Sequence, residues 1–80
     1  MIVRLGTQPR PVRGPGPRYM VHLQVRTAGA TVRVGSSERA LYDPGDGLQF
    51  TNADGVQSLW WSGDLWMVAD SDASCIVEFA

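Results

Sequence analysis

His22 and Cys75 are the single histidine and the single cysteine among the 80 residues. Chemistry that needs either type must therefore pass through them. A structural zinc site of the all-Cys/His kind takes four soft ligands and is excluded. One cysteine also excludes an intrachain disulfide. As a nucleophile, Cys75 would need a neighbouring base and a lowered pKa, but it stands in an apolar segment that favours an inert thiol. A Ser-His-Asp arrangement would need a serine on a strand-to-helix elbow. The chain has no Gly-x-Ser-x-Gly, and Ser36 and Ser37 follow a strand with no helix behind them. Lysine is absent, which removes a phosphate-binding P-loop. Asp43 with Asp46, and Asp70 with Asp72, invite a hard cation, yet such an ion wants six or more oxygens. Asx-type turn capping accounts for both pairs. The expectation is a chain that is not an enzyme and holds no metal or cofactor.

The residues suited to binding are more telling. All seven basic residues are arginines, at 4, 10, 13, 18, 26, 33 and 39, and Glu38 is the one acid among them. From Ala40 onward there are seven acids and no base, so the net charge of −1 hides a strong asymmetry. Three arrangements fit: Arg-bearing strands paired with acid-bearing strands inside the chain, a basic arm on the acidic surface of a neighbouring subunit, or nucleic acid. The last is disfavoured, because nucleic-acid sites interleave basic residues with aromatics and the arm offers only Tyr19. Trp60 and Trp61 are adjacent, and neighbours on a strand point to opposite faces. Three readings stay open for them: an outward interface anchor, two rings packed on core edges, or a sugar-stacking platform.

The elements that must position these residues are strands. Tyr19 to Arg26 alternates cleanly, with Tyr19, Val21, Leu23 and Val25 on one face. Thr27 to Ala30 reads as a turn with Gly29 at positive φ. Thr31 to Val34 follows as a strand, and the two make a hairpin. Ala40 to Tyr42 reads as a short edge segment and Asp43-Pro44-Gly45-Asp46-Gly47 as a turn. Leu48 to Phe50 is a strand with Leu48 and Phe50 inward, and Thr51 to Gly55 turns again. Val56 to Trp61 reads as a strand or extended segment. Leu65 to Ala69 is apolar on both faces, which predicts a central strand buried on both sides. Ser74 to Phe79 closes the chain, with Cys75, Val77 and Phe79 on one face. Ile2 to Leu5 alternates weakly as a first strand. The stretch Gly6 to Pro17 holds four of the five prolines; proline fixes φ and removes a ladder donor, so no central strand or helix can form there. Residues 1–18 are therefore expected as an extended Pro/Arg-rich N-terminal arm and residues 19–80 as a small all-β domain. That domain is a β-sandwich, jelly-roll-like, or a partly open barrel. No apolar run approaches the ~20 residues of a membrane-spanning helix. The start lacks the apolar core of a secretory signal, so synthesis in a cytoplasm is expected. So small a domain has a thin stability margin, which favours oligomerisation or docking on a larger partner.

Four segments carry a family resemblance: Thr31-Val32-Arg33-Val34-Gly35-Ser36, Leu41-Tyr42-Asp43-Pro44-Gly45-Asp46-Gly47-Leu48, Leu65-Trp66-Met67-Val68-Ala69 and Cys75-Ile76-Val77-Glu78-Phe79. In this order and spacing they resemble the small β-sandwich proteins of tailed bacteriophages that decorate or stabilise the capsid. The likeness spans about three quarters of the chain, leaves residues 1–18 outside and departs at Trp60-Trp61. It implies a virion structural protein on the capsid surface, made in the host cytoplasm, with the major capsid protein as partner and a homo-oligomer, a trimer, as its form. It brings no catalytic residues. Arg4, Arg10, Arg13 and Arg18 of the arm are then the expected docking residues, and Trp60 and Trp61 the subunit contact. The rival expectations are a carbohydrate-binding or host-attachment module of a phage fibre or tail, a head–tail accessory protein, and a small cupin-like enzyme fragment.

Overall fold

The computed structural model describes residues 1–43 and 45–80. Eight strands form: β1 (Ile2–Leu5), β2 (Arg10–Arg13), β3 (Tyr19–Val25), β4 (Thr31–Gly35), β5 (Leu48–Thr51), β6 (Gln57–Trp61), β7 (Leu65–Ala69) and β8 (Ala73–Phe79). Single 3-10 turns at Arg39–Leu41 and Asn52–Asp54 flank β5. The strands make two antiparallel sheets, the first in the order β1-β8-β3-β6 and the second in the order β2-β7-β4-β5. The pairs β1–β8, β2–β7, β3–β6 and β4–β5 are the rungs of one long antiparallel ribbon whose tip is β4–β5. Folding that ribbon over itself gives a β-sandwich with the strand order of a jelly roll.

Alternation drives the packing. Val21, Leu23, Val25, Val32, Val34, Leu65, Met67, Cys75 and Val77 are all at most 1% exposed and fill the layer between the sheets. β7 is central in its sheet, as its two apolar faces predict. Leu65, Met67 and Ala69 join the core, while Val68 is buried on the other face. The segment read as a short edge, Ala40 to Tyr42, instead belongs to the Arg39–Leu41 turn, which lies against β4 and β7. There Leu41 is buried, seated between Gly35 and Gly47, where an added Cβ would come within 2.9 and 2.8 Å of its side chain.

Three expectations change. First, β3 and β4 form no hairpin. β3 pairs with β6 and β8, β4 pairs with β5 and β7, and the intervening connection crosses from sheet to sheet. Both strands bury one apolar face, and facing each other across the core satisfies both. The β7–β8 turn clamps the crossing: Thr31 N–H donates to Asp70 Oδ1 (2.9 Å), and Ser74 N–H donates to Thr27 Oγ1 (3.0 Å). Gly29 does take positive φ, at 82°. Second, residues 1–18 are not a detached arm. β1 and β2 lie inside them and pair with β8 and β7. The proline argument survives in a weaker form, since β2 is an edge strand with a register shift between Pro11 and Arg13. Third, Leu48 stands opposite inward-facing Val34 but is 52% exposed, because β5 is the last strand of its sheet. The Asp43–Gly47 turn includes Pro44, which lies outside the described residues; around it Asp46 N–H donates to Asp43 O (3.1 Å).

Candidate interaction surface

The two sheets differ on their outer faces. The second sheet is partly roofed by the connection between β4 and β5, which is why Val68 is buried. On the outer face of the first sheet every residue is exposed or half-buried. Register lays that face out in rows across the strands. One row holds Arg4 and Ser74, with Arg26 next in line. The next runs Ile2, Ile76 and Gln24, with Val56 just before β6. The third is Glu78, His22 and Ser58, and the fourth is Met20 and Trp60. Ile2, Val56 and Trp60 are 69, 64 and 56% exposed. The result is a face whose exposed apolar residues lie along its two edges, with a polar row of Glu78, His22 and Ser58 across it and arginines at both ends.

Within this frame the tryptophan pair divides. Trp60 points outward, and the Arg18 guanidinium lies over its ring, 4.8 Å from the centroid. Trp61 points inward, packs against the core and donates its indole N–H to Asp64 O (2.8 Å). Tyr19 beside it is buried and donates its hydroxyl to Gly63 O (2.9 Å). Burial raises the Tyr19 pKa above its ordinary value; the Arg13 charge opposes this and Asp64 adds to it.

The four arginines expected to act together are dispersed. Arg4 sits in the row at one end of the first sheet's outer face and Arg18 at the other. Arg10 donates to Arg4 O (2.9 Å). The Arg13 guanidinium is stacked 3.8 Å from the Tyr19 ring centroid and 4.9 Å from that of Phe79. Arg26, which the arm reading left out, belongs to the same face as Arg4. Nor, among the described residues, do the arginines pair with acids. Among the described residues the ion pair within 4 Å is that of the Met1 ammonium with Glu78, at 2.8 Å. The acids are used otherwise: Asp70 and Asp54 accept backbone N–H groups at turns. Arg33 donates to the carbonyls of Asp43 and Asp46, both at 2.9 Å, rather than to their carboxylates.

The structure also brings together residues that the sequence left apart. His22 Nδ1 lies 2.6 Å from Ser58 Oγ, with Glu78 on the other side of His22 in register. The order resembles a Ser-His-Glu relay, but the surroundings do not support nucleophilic catalysis. An oxyanion needs convergent N–H donors, and β3, which carries His22, is paired on both sides by β6 and β8. Glu78 is held by the Met1 ammonium instead of the imidazole. Cys75 is fully buried, and that burial pushes its thiol from 9.0 up to about 11, the reverse of an activated nucleophile. The described residues contain no cluster of three or more metal-ligating side chains.

No protein-family model, curated protein or solved structure matches the chain.

Proposed function

We propose that this chain is a virion structural protein that binds an assembled capsid lattice and stabilises it without a catalytic step. The docking surface is the outer face of the first sheet. The observation that carries the reading is the composition of that face. Ile2, Val56 and Trp60 lie exposed between Arg4, Arg26 and Arg18, and among the described residues none of these arginines has a carboxylate within 4 Å. Tryptophan, methionine and arginine are enriched at protein–protein interfaces, and tryptophan and arginine are the residue types that dominate their energy. Free guanidinium groups ask for an acidic surface on the partner, here the major capsid protein. The likeness of four segments to phage decoration proteins points the same way. The mechanism is mass action: a ligand that binds only the assembled state shifts the equilibrium toward it.

Co-sedimentation with assembled capsids of the phage whose genome carries the sequence tests this. Trp60→Ala is expected to weaken binding about 30-fold, the effect of losing about 2 kcal/mol at a hot spot. Equal binding by wild type and Trp60→Ala would remove the reading. A carbohydrate-binding module is the second reading, and one observation favours it. A groove of about 620 Å³ over the second sheet is lined by Gln8, Arg33, Tyr42, Gln49 and Asp70, an aromatic among polar groups. Glycan-array binding lost in Tyr42→Ala would select it. The Trp60 ring is the poorer sugar platform, since Arg18 already covers one of its faces.

A further inference from the structure

The two flanks of the sandwich are unequal. Where β1 and β2 close it, the inward residues of β1 are sealed, with Val3 and Leu5 5 and 4% exposed, and Val12 of β2 is half-buried. Where β5 and β6 close it, no inward residue of either strand is sealed. Leu48 is half exposed, and Phe50, Leu59 and Trp61 are half-buried although register places them opposite the core residues Val32, Val21 and Tyr19. The strand edges differ in the same sense. β1 carries Arg4, and β2 carries Arg10, Pro11, Arg13 and a register shift, the features by which natural sheets keep an edge from pairing. β5 and β6 read Leu48-Gln49-Phe50-Thr51 and Gln57-Ser58-Leu59-Trp60-Trp61, with no charge and no proline. The acid between them, Asp54, is already bound to Thr51 N–H at 2.7 Å. Of the two, β6 is the longer and bears the exposed tryptophan.

We infer that β6 is a homotypic edge: it pairs antiparallel with β6 of a second copy about a two-fold axis, continuing the first sheet from one copy into the other. The occupant follows from the strand itself. A two-fold contact sets a surface against its own image, so any charge on the edge meets a like charge, which is destabilising; β6 has none. Two-fold antiparallel pairing also sets even-numbered residues opposite even-numbered ones. Outward Ser58 and Trp60 then meet outward Ser58 and Trp60, and inward Leu59 and Trp61 meet their like. The open apolar flanks of both copies become one continuous layer, and the free N–H and C=O groups of the edge gain partners. A charged foreign strand would find no counter-charge here. The family likeness implies a trimer; the edge geometry argues for two copies.

Sedimentation equilibrium of the full chain tests the inference. Wild type is expected at the mass of two copies. Ser58→Lys combined with Trp60→Lys sets lysines opposite lysines in each register centred on residue 58, 59 or 60, those that pair most of the strand, and is expected to give one copy. Both positions are exposed, so circular dichroism should show the β fold retained. Ile2→Lys, on the opposite edge of the same sheet, should leave the two-copy mass unchanged. A wild type at the mass of one or of three copies overturns the inference, and so does a double variant that still associates. The contact is separable from the capsid reading: a two-copy protein that ignores capsids keeps this inference and loses that reading, and a single-copy protein that binds them does the reverse.

Discussion

Cys75 shows how far a single residue can be read in advance. Its apolar neighbours predict an inert thiol, and the fold places it in β8 with no exposure and a pKa raised to about 11. The consequence is a pH dependence with a defined sign. Between pH 9.0, the ordinary value for the thiol, and about 11, the folded chain keeps a proton that the unfolded chain has lost. Stability is therefore full below that window and falls as pH rises through it, by about 2–3 kcal/mol for a shift of this size. Tyr19, also raised by burial, acts in the same direction. Urea unfolding of wild type and Cys75→Ala on both sides of the window should show the steeper alkaline loss in wild type; parallel curves would show that the thiol is not buried. The glycines separate in the same residue-level way. Gly29 and Gly47 both sit at positive φ, but a Cβ at Gly29 meets open space, whereas at Gly47 it would come within 2.5 Å of Val34 O. Gly29→Ala should cost about 1–2 kcal/mol, and Gly47→Ala clearly more in the same thermal melts. The need for glycine at 29 is legible in its turn. At 47 it is not, because the atoms it must avoid come from β4 and from Leu41.

Strands proved easier to find than their partners. Period-two alternation located β3, β4 and β8 closely, and the doubly apolar run Leu65 to Ala69 gave β7, an interior strand of its sheet. What alternation cannot encode is which sheet a strand joins, since a strand with one apolar face is equally satisfied beside its neighbour or across the core from it. That is why β3 and β4 read as a hairpin and fold as a crossing. Proline gave a similar half-answer. It excludes the interior of a sheet, and β2 obeys by taking an edge, but exclusion from the interior does not amount to exclusion from the fold. The 3-10 turn at Arg39–Leu41 is legible only in retrospect, as the cover that the outer face of β7 requires. Its weight can be measured. Leu41 is 1% exposed outside the main core, and Leu41→Ala should cost about 2–4 kcal/mol. A change near zero in the urea midpoint would mean that Val68 is covered by something else.

At the scale of the molecule, the sequence's charge asymmetry has a different meaning from the one intrachain pairing would give it. The first-half arginines and second-half acids lie on strands that do meet, since β1 and β2 pair with β8 and β7. Yet the Arg13 and Arg18 guanidinium groups lie over aromatic rings, those of Arg10 and Arg33 bond carbonyls, and Asp54 and Asp70 accept backbone N–H groups at turns. Arg4 and Arg26 are left with no carboxylate within 4 Å among the described residues, and the proposed docking draws on them. The candidate surface was legible only in part: Trp60 and Arg18 stand out by type, whereas Ile2, Arg26 and Val56 become one face only through the winding of the ribbon. The same winding decides what the N-terminal stretch is for. A detached arm could be removed without harm to the domain. Here, deleting residues 1–18 strips β1 from β8 and β2 from β7, uncovers Cys75 and Val77 in the core, and removes Val3 and Leu5 from it. The truncated chain should therefore lose its cooperative thermal transition and bind 8-anilinonaphthalene sulfonate, the mark of exposed apolar surface. A sharp melt and an intact β spectrum after the deletion would instead restore the arm, and with it the idea that the first eighteen residues act on a partner and not on the sandwich.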